Sequence, residues 1–411
     1  MYTVLRNRNY FLLWIGGLIS SLGDWVLMGA LPFYVYARTG SPLATGLTFA
    51  ASVLPWIILS SVAGVFVDRW DLKRTMIIAD LSRAALMLLL LLVTVVPALF
   101  WLVYLISFAE ACITQFFNPA SVTLLPRVVD KDLLQEANAL GSFSGSLSRL
   151  AGPLLGGVLL ALMGPASTMI ADGISYVCSA VMIMLVIVPP SFAKRTYEQT
   201  QPGSITAYWR DWLEGLGTVK EHSTLRTLFL VIAVAALADG VINALFVIFP
   251  AAVLHLGSTQ YGEMLTALGV GSLIGSFLVG LFAQKIPPVR VIWGGLFGKG
   301  LTYLLVFNSR SFLLVLLIFI LSGTPAIGWQ ISAQTLIQIT AEERLRGRVF
   351  GAYGAILSLF LLLGTGLGSV LAVSLQIVPV LDIGCGLLLV AGIVALFVSR
   401  KKEGNKSRSE V

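Results

Sequence analysis

Charge is what this sequence has least of. Asp, Glu, Lys and Arg make up 11% of its 411 residues, against about 25% in a soluble globular protein. That shortage excludes a soluble enzyme of one or two domains, because a core of this size cannot hide so much apolar surface and lipid must cover the remainder. Histidine is scarcer still. His222 and His255 stand apart, so a membrane-embedded enzyme lacks both the metal cluster and the nucleophile–base pair it would need, and no metal or cofactor is expected. The three cysteines, Cys112, Cys178 and Cys385, lie inside apolar runs and read as buried small hydrophobes without disulfide or metal-ligand spacing. No Gly-x-x-x-x-Gly-Lys-Ser/Thr occurs, Gly298-Lys299-Gly300 being no such motif, which excludes a nucleotide-driven pump. The apolar run after Arg6 and Arg8 lacks a small-residue cleavage site and reads as a retained first helix.

What is present is apolar chain: 57% of the residues, with a mean hydropathy of +0.91. It falls into runs at 11–37, 43–67, 75–96, 98–118, 138–162 and 167–188, then 226–253, 261–283, 289–307, 311–335, 349–374 and 378–399. Each is long enough for a helix across a bilayer, about 20 residues. The expected architecture is an all-α polytopic membrane protein of twelve transmembrane helices. A six-helix bundle over 1–188 precedes a linker over 189–225, a second bundle over 226–400 and a tail over 401–411. Twenty-two basic residues fall in connections on the side of the two termini, and only Arg38 and Arg310 on the other. The positive-inside rule therefore puts both termini in the cytoplasm of a cell-membrane protein. The net charge of +7 is topological and needs no nucleic acid.

The linker carries Ile205, Tyr208, Trp209, Trp212, Leu216 and Val219 at helical spacing, with Arg210, Asp211, Glu214 and Lys220 between them. That pattern suits either an amphipathic helix on the cytoplasmic leaflet or a linker helix packed on the protein. The two halves echo each other. Residues 63–74 align with 279–290 through Gly64/Gly280, Phe66/Phe282, Arg69/Lys285 and Arg74/Arg290, and Asp24 corresponds to Asp239. Two six-helix pseudo-repeats are the arrangement by which bundles give alternating access to a midplane site.

Three local signals follow. GVFVDRWDLKR at 64–74 resembles the cytoplasmic signature of the major facilitator superfamily. In it Gly64 permits close helix approach, Asp68 caps a helix or pairs across the cytoplasmic seam, and Arg69, Lys73 and Arg74 meet headgroup phosphates. Asp68 is expected to face Arg346 and Arg348 at the start of helix 11 as a cytoplasmic gate. Gly152-Pro153-Leu154-Leu155-Gly156-Gly157 resembles the end of the exporter signature of that superfamily, although Ala139 and Ser148 replace its two earlier glycines. Gly and Pro there bend helix 5 and flatten one face, and Arg149, one turn earlier, ties helices together. FFNPASVTLLP at 116–126, LLQEANAL at 133–140, RLRGRVFG at 344–351 and WLEGLGTVKEHSTLRTL at 212–228 are similar to the branch holding macrolide efflux pumps and the enterobactin exporter. Many members carry an intramembrane Arg on helix 4, where Glu110 stands here.

Ionisable residues inside spans are functional candidates by default: Asp24, Asp80, Arg83, Glu110, Arg149, Asp172, Asp239, Lys299 and Asp382. Asp80 and Arg83, three apart on helix 3, form a local pair. The glycine runs at 269–275 and 364–368 read as packing surfaces. The resemblance implies that helices 1, 4, 7 and 10 line a cavity, which singles out Asp24, Glu110 and Asp239 as carriers of the proton or counter-charges for cargo. Glu110 is the first choice for the proton and Asp24 for the cargo. The resulting expectation is a proton-coupled exporter of hydrophobic or amphiphilic small molecules such as macrolides, its partners being cargo, protons and membrane lipids, with no nucleotide. A siderophore or natural-product exporter and a lipid flippase are the alternatives.

Overall fold

The computed structural model describes residues 2–67, 70–187, 217, 220, 222–282, 286–341 and 346–409, some of them by backbone alone, 346–348 and 397–409 included. The linker helix expected at 205–219 and both Asp68 and Arg69 lie outside the described residues. Among the described residues there is no strand, and twelve helices have twenty residues or more. They are α1 (Arg8–Thr39), α2 (Pro42–Val67), α3 (Leu72–Val95), α4 (Leu102–Val128), α5 (Leu134–Met163), α6 (Pro165–Leu185), α7 (Ser223–Phe246), α8 (Ser258–Phe282), α9 (Pro288–Phe307), α10 (Phe312–Thr340), α11 (Arg346–Leu375) and α12 (Ile377–Ser409). Among the described residues, eleven of them are long and apolar enough to cross a membrane. The twelfth, α4, is diluted by Glu110, Thr114, Gln115 and Asn118.

The elements start and stop where local chemistry says. Gly40, at φ +64°, and Gly164, at φ +78°, make the sharp turns after α1 and α5, where any larger side chain is strained. Pro165 then opens α6 and Pro288 opens α9, at the position where the missing N–H costs nothing. Asp71 caps α3, its Oδ1 accepting from Arg74 N at 2.8 Å. Several boundaries differ from the apolar runs: α12 continues to Ser409, through most of the tail expected over 401–411, and two others have a clear local cause. The helix expected to close at 118 continues to Val128 with Pro119 and Pro126 inside it, because proline is tolerated in a spanning helix whose neighbours satisfy the freed carbonyls. The run 226–253 is two helices, α7 and Ile248–Ala252, parted at Val247.

The chain divides into two compact units, one of Met1–Arg38, Leu47–Ile205 and Ser258–Gly262, the other of Thr39–Gly46, Thr206–Gly257 and Glu263–Val411. At one end of the first unit, Tyr10, Leu13, Val67, Leu72, Met76, Leu124, Val128 and Ile183 form an apolar core. Polar contacts stitch the same end. Tyr10 Oη donates to Ala137 O at 2.9 Å, Asn7 Nδ2 to Val128 O at 2.9 Å, and Lys73 Nζ to Met184 O and Val186 O at 2.8 Å each. Lys73 thus closes the C-terminal carbonyls of α6. The Gly-Pro element is the α1–α5 crossing. A Cβ on Gly29 would stand 2.9 Å from Pro153 Cα, and Cβ atoms on Gly152 and Gly156 would run into Trp25 and Val26. Gly157 meets the start of α8 within the same unit, where Ser258 Oγ donates to Gly157 O at 3.0 Å.

Candidate functional site

Four helices of the first unit bring polar side chains to one place. On α6, Asp172, Ser175, Tyr176 and Ser179 recur at positions i, i+3, i+4 and i+7, the spacing of one helical face, and Asp172, Tyr176 and Ser179 are all at most 1% exposed. On α4, Glu110, Thr114 and Phe117 share a face in the same way. Asp80 and Arg83 come from α3, 0% and 1% exposed, and Asp24 from α1. Gly23 makes the approach of α1 possible, since a Cβ there would overlap Ser175 of α6.

These groups form one hydrogen-bonded chain. Arg83 is ion-paired with Asp80, and its Nη1 donates to Thr114 Oγ1 at 3.4 Å. Thr114 Oγ1 donates to Glu110 Oε1 at 2.7 Å. The Tyr176 hydroxyl donates to Asp24 Oδ1 at 2.6 Å, with Glu110 Oε1 at 3.4 Å as its alternative acceptor. A hydroxyl has one hydrogen, so Tyr176 serves one of the two carboxyls at a time. The guanidinium also lies against two rings, 4.3 Å from the centroid of Tyr176 and 4.5 Å from that of Phe117, cation–π contacts that hold it in place. Its charge reaches Asp24, Asp80 and Glu110. Asp172 sits behind this chain. Its Oδ1 is 3.3 Å from Ser175 Oγ, a hydroxyl already given to Asp172 O at 2.8 Å, and its Oδ2 has no partner among the described residues. Three carboxyls therefore share one guanidinium, and a fourth, Asp172, lies on the same face of α6 as Tyr176.

Asp239 has a counter-charge of its own. In the second unit its Oδ1 lies 2.5 Å from Lys299 Nζ across α7 and α9, and Lys299 stands 5.5 Å from the Tyr303 ring centroid. A reading of Asp24, Glu110 and Asp239 as three like carboxylates leaves out this counter-charge. Looking only for bases on helices 1, 4, 7 and 10 overlooks those on α3 and α9. A signal was available, because the 216-residue offset that aligns 63–74 with 279–290 also carries Arg83 onto Lys299. Asp172 and Tyr176 were likewise readable as the polar face of an otherwise apolar helix. Asp382 accepts from Asn308 Nδ2 at 2.8 Å near the end of α9. Arg149 lies 5.3 Å from the Trp25 ring centroid, linking α5 to α1. Gly64 lies in the last turn of α2. The expected partners of Asp68, the side chains of Arg346 and Arg348, lie outside the described residues. Among the described residues no group of three or more His, Cys, Asp or Glu is placed to hold a metal ion.

The family described as transmembrane secretion effector matches residues 1–410. Curated relatives include the macrolide efflux protein A of Streptococcus pyogenes, 24% identical with 89% of each chain covered. Another is the multidrug efflux pump Tap of Mycolicibacterium fortuitum, 26% identical with 98% of each chain covered. Among solved structures, a bacterial homologue of the iron transporter ferroportin superposes with a TM-score of 0.75 at 15% identity, covering 95% of this chain and 98% of that one. The nucleoside transporter NupG also gives 0.75, at 13% identity, covering 94% and 98%. These are transporters, not enzymes, and at such identities the two structures speak for the fold alone. With the twelve helices and the full-length match together, the chain belongs to the major facilitator superfamily, in its family of transmembrane secretion effectors.

Proposed function

We propose that this transporter is a proton-coupled exporter of hydrophobic or amphiphilic small molecules, cationic ones such as macrolides in particular, working by alternating access in the cell membrane with both termini in the cytoplasm. The observation that carries the reading is the Asp24–Tyr176–Glu110 chain beside a single guanidinium. Asp24 and Glu110 are half-buried while Asp80, Arg83 and Asp172 are enclosed behind them, so the two outer carboxyls are the ones that cargo and protons can reach. With Asp80 held by Arg83, negative charge on the outer pair is balanced by a proton or by a bound cation. The two occupants compete for the same charge, which is what antiport requires. Tyr176 can pass its hydrogen bond from one carboxyl to the other as occupancy changes. The names of the relatives, macrolide efflux protein A and multidrug efflux pump Tap, support efflux and that class of cargo. The gate built from Gly64, Asp68, Arg69, Lys73, Arg74, Arg346 and Arg348 belongs to the same proposal, closing the cytoplasmic side in the outward-facing state.

The test is cargo-driven proton movement in proteoliposomes. Imposing a macrolide gradient across vesicles loaded with a pH-sensitive dye should move protons in the opposite direction. Glu110→Gln and Asp24→Asn should each abolish the proton signal while leaving insertion intact. Antiport at parental rates in both variants overturns the coupling scheme, and cargo movement without any proton signal in the parent overturns proton coupling itself.

A further inference from the structure

A second binding feature lies within the second unit. Helices α7 and α11 are locked together at one level by glycines. A Cβ on Gly240 would stand 2.9 Å from Gly364 Cα, and one on Gly368 would stand 2.9 Å from Val241 Cα. Toward the start of both helices the glycines give way to Phe229 and Leu230 on α7 and to Ile356 and Phe360 on α11, and a cleft of about 340 Å³ opens between them. Ala233 lies at its inner end, and two cations, Lys220 and Arg226, stand at its mouth. Neither cation has an ion pair among the described residues, and both are exposed.

We propose that this cleft binds an anionic phospholipid, with the phosphate between Lys220 and Arg226 and an acyl chain against Phe229, Leu230, Ala233, Ile356 and Phe360. The arrangement has the order of such a molecule along the membrane normal. Arg226 precedes Phe229 by one turn and Ala233 by two, so the apolar wall extends about 10 Å inward from the charged mouth. A cationic drug is the wrong sign for that mouth, which separates the cleft from the proposed cargo site. A zwitterionic headgroup brings its own cation to the same two charges and is disfavoured. Lys220 and Arg226 belong to the side that carries most of the basic connections, where attraction of anionic lipid by interfacial Lys and Arg is strongest. The inference does not depend on the direction of transport or on protons.

Native mass spectrometry of the full chain in detergent tests it, with phosphatidylglycerol, phosphatidylcholine of the same acyl chains, and glycerol 3-phosphate as probes. Phosphatidylglycerol should be retained about 30-fold better than phosphatidylcholine, the weight of two interfacial cations, and glycerol 3-phosphate should not be retained. Lys220→Gln with Arg226→Gln should erase the preference for the anionic lipid. Ala233→Trp, which leaves both cations and fills the cleft, should erase retention by a second route. Arg6→Gln with Arg8→Gln, removing two cations elsewhere, should change neither. Equal loss in that control pair would mean diffuse surface charge and overturn the proposal. So would equal retention of phosphatidylcholine, retention of glycerol 3-phosphate alone, or unchanged phosphatidylglycerol binding in both cleft variants when they elute as the parent does.

Discussion

Replacing Arg83 by Gln tests whether the carboxyl cluster is held together by a single charge. Arg83 is 1% exposed and its partner Asp80 is 0% exposed, so the substitution leaves a buried carboxylate without its ion pair. Breaking a buried pair from one side costs about 3–5 kcal/mol, and the ring contacts to Tyr176 and Phe117 go with it. Arg83→Gln should therefore unfold at a markedly lower fraction of denaturing detergent in mixed micelles, followed by tryptophan fluorescence. Asp80→Asn with Arg83→Gln removes both charges and leaves two amides able to bond, so it should recover stability to within about 1–2 kcal/mol of the parent. Transport should not recover with it, because Asp24 and Glu110 still lack the guanidinium whose charge reaches them. That split between stability and transport is the signature of a hub. If Arg83→Gln unfolds where the parent does, or if the double variant regains both properties, Arg83 serves only its local pair and the cluster is not organised as argued.

Tyr176→Phe removes the donor that lies 2.6 Å from Asp24. A hydrogen bond to a charged group is worth about 1.5–3 kcal/mol, so cargo-driven proton flux should fall roughly ten-fold or more, short of the abolition expected of Asp24→Asn. In the second unit, Lys299→Met should lower the yield of folded protein in membranes by leaving Asp239 unpaired, while Lys299→Met with Asp239→Asn should restore it. Gly364→Leu should prevent folding, because a Cβ there runs into the backbone of Leu237 on α7, whereas Gly366→Leu, with nothing within 4 Å of its Cβ, should fold normally; size-exclusion profiles of the two separate them.

Most of the fold is legible in the sequence because each helix is its own hydropathy signal and lipid, not tertiary partners, decides that signal. The apolar runs miss where polarity serves the interior. The run that marks α4 stops at Asn118 because Gln115, Asn118 and Pro119 lower the local hydropathy, yet a helix packed among other helices tolerates them. The candidate residues are legible one by one, since an ionisable group in a span is conspicuous, but their grouping is not. Which side chains meet depends on helical phase and neighbour order, and these place Arg83 of α3 among Asp24 and Glu110 and pair Asp239 with Lys299. The Gly-Pro element, expected to bend helix 5 and flatten one face of it, makes the close α1–α5 contact, where Gly152 and Gly156 leave room for the backbone of Trp25 and Val26; what the sequence does not show is that α1 is the neighbour.

Comparing the two halves separates what they share from what only one of them carries. Each half has an acid on its first helix and a base on its third, Asp24 with Arg83 and Asp239 with Lys299, at offsets of 215 and 216 residues. In the second half the pair is closed: one acid, one base, 2.5 Å apart, with charges that cancel. In the first half the base is turned toward Asp80, on its own helix, and Asp24 is left to share a tyrosine hydroxyl with Glu110. The additional acids have no acidic counterpart: an offset of 216 carries Asp80 onto Leu296, Glu110 onto Ala326 and Asp172 onto Leu388. The carboxyls that outnumber their base are thus peculiar to the first half. A charge that must come and go during a transport cycle needs a site whose own charges do not already cancel, and the cluster around Arg83 has that imbalance. The closed pair of the second half is the internal control for the argument: neutralising both its members together should leave proton stoichiometry unchanged, whereas neutralising Asp24 or Glu110 should alter it.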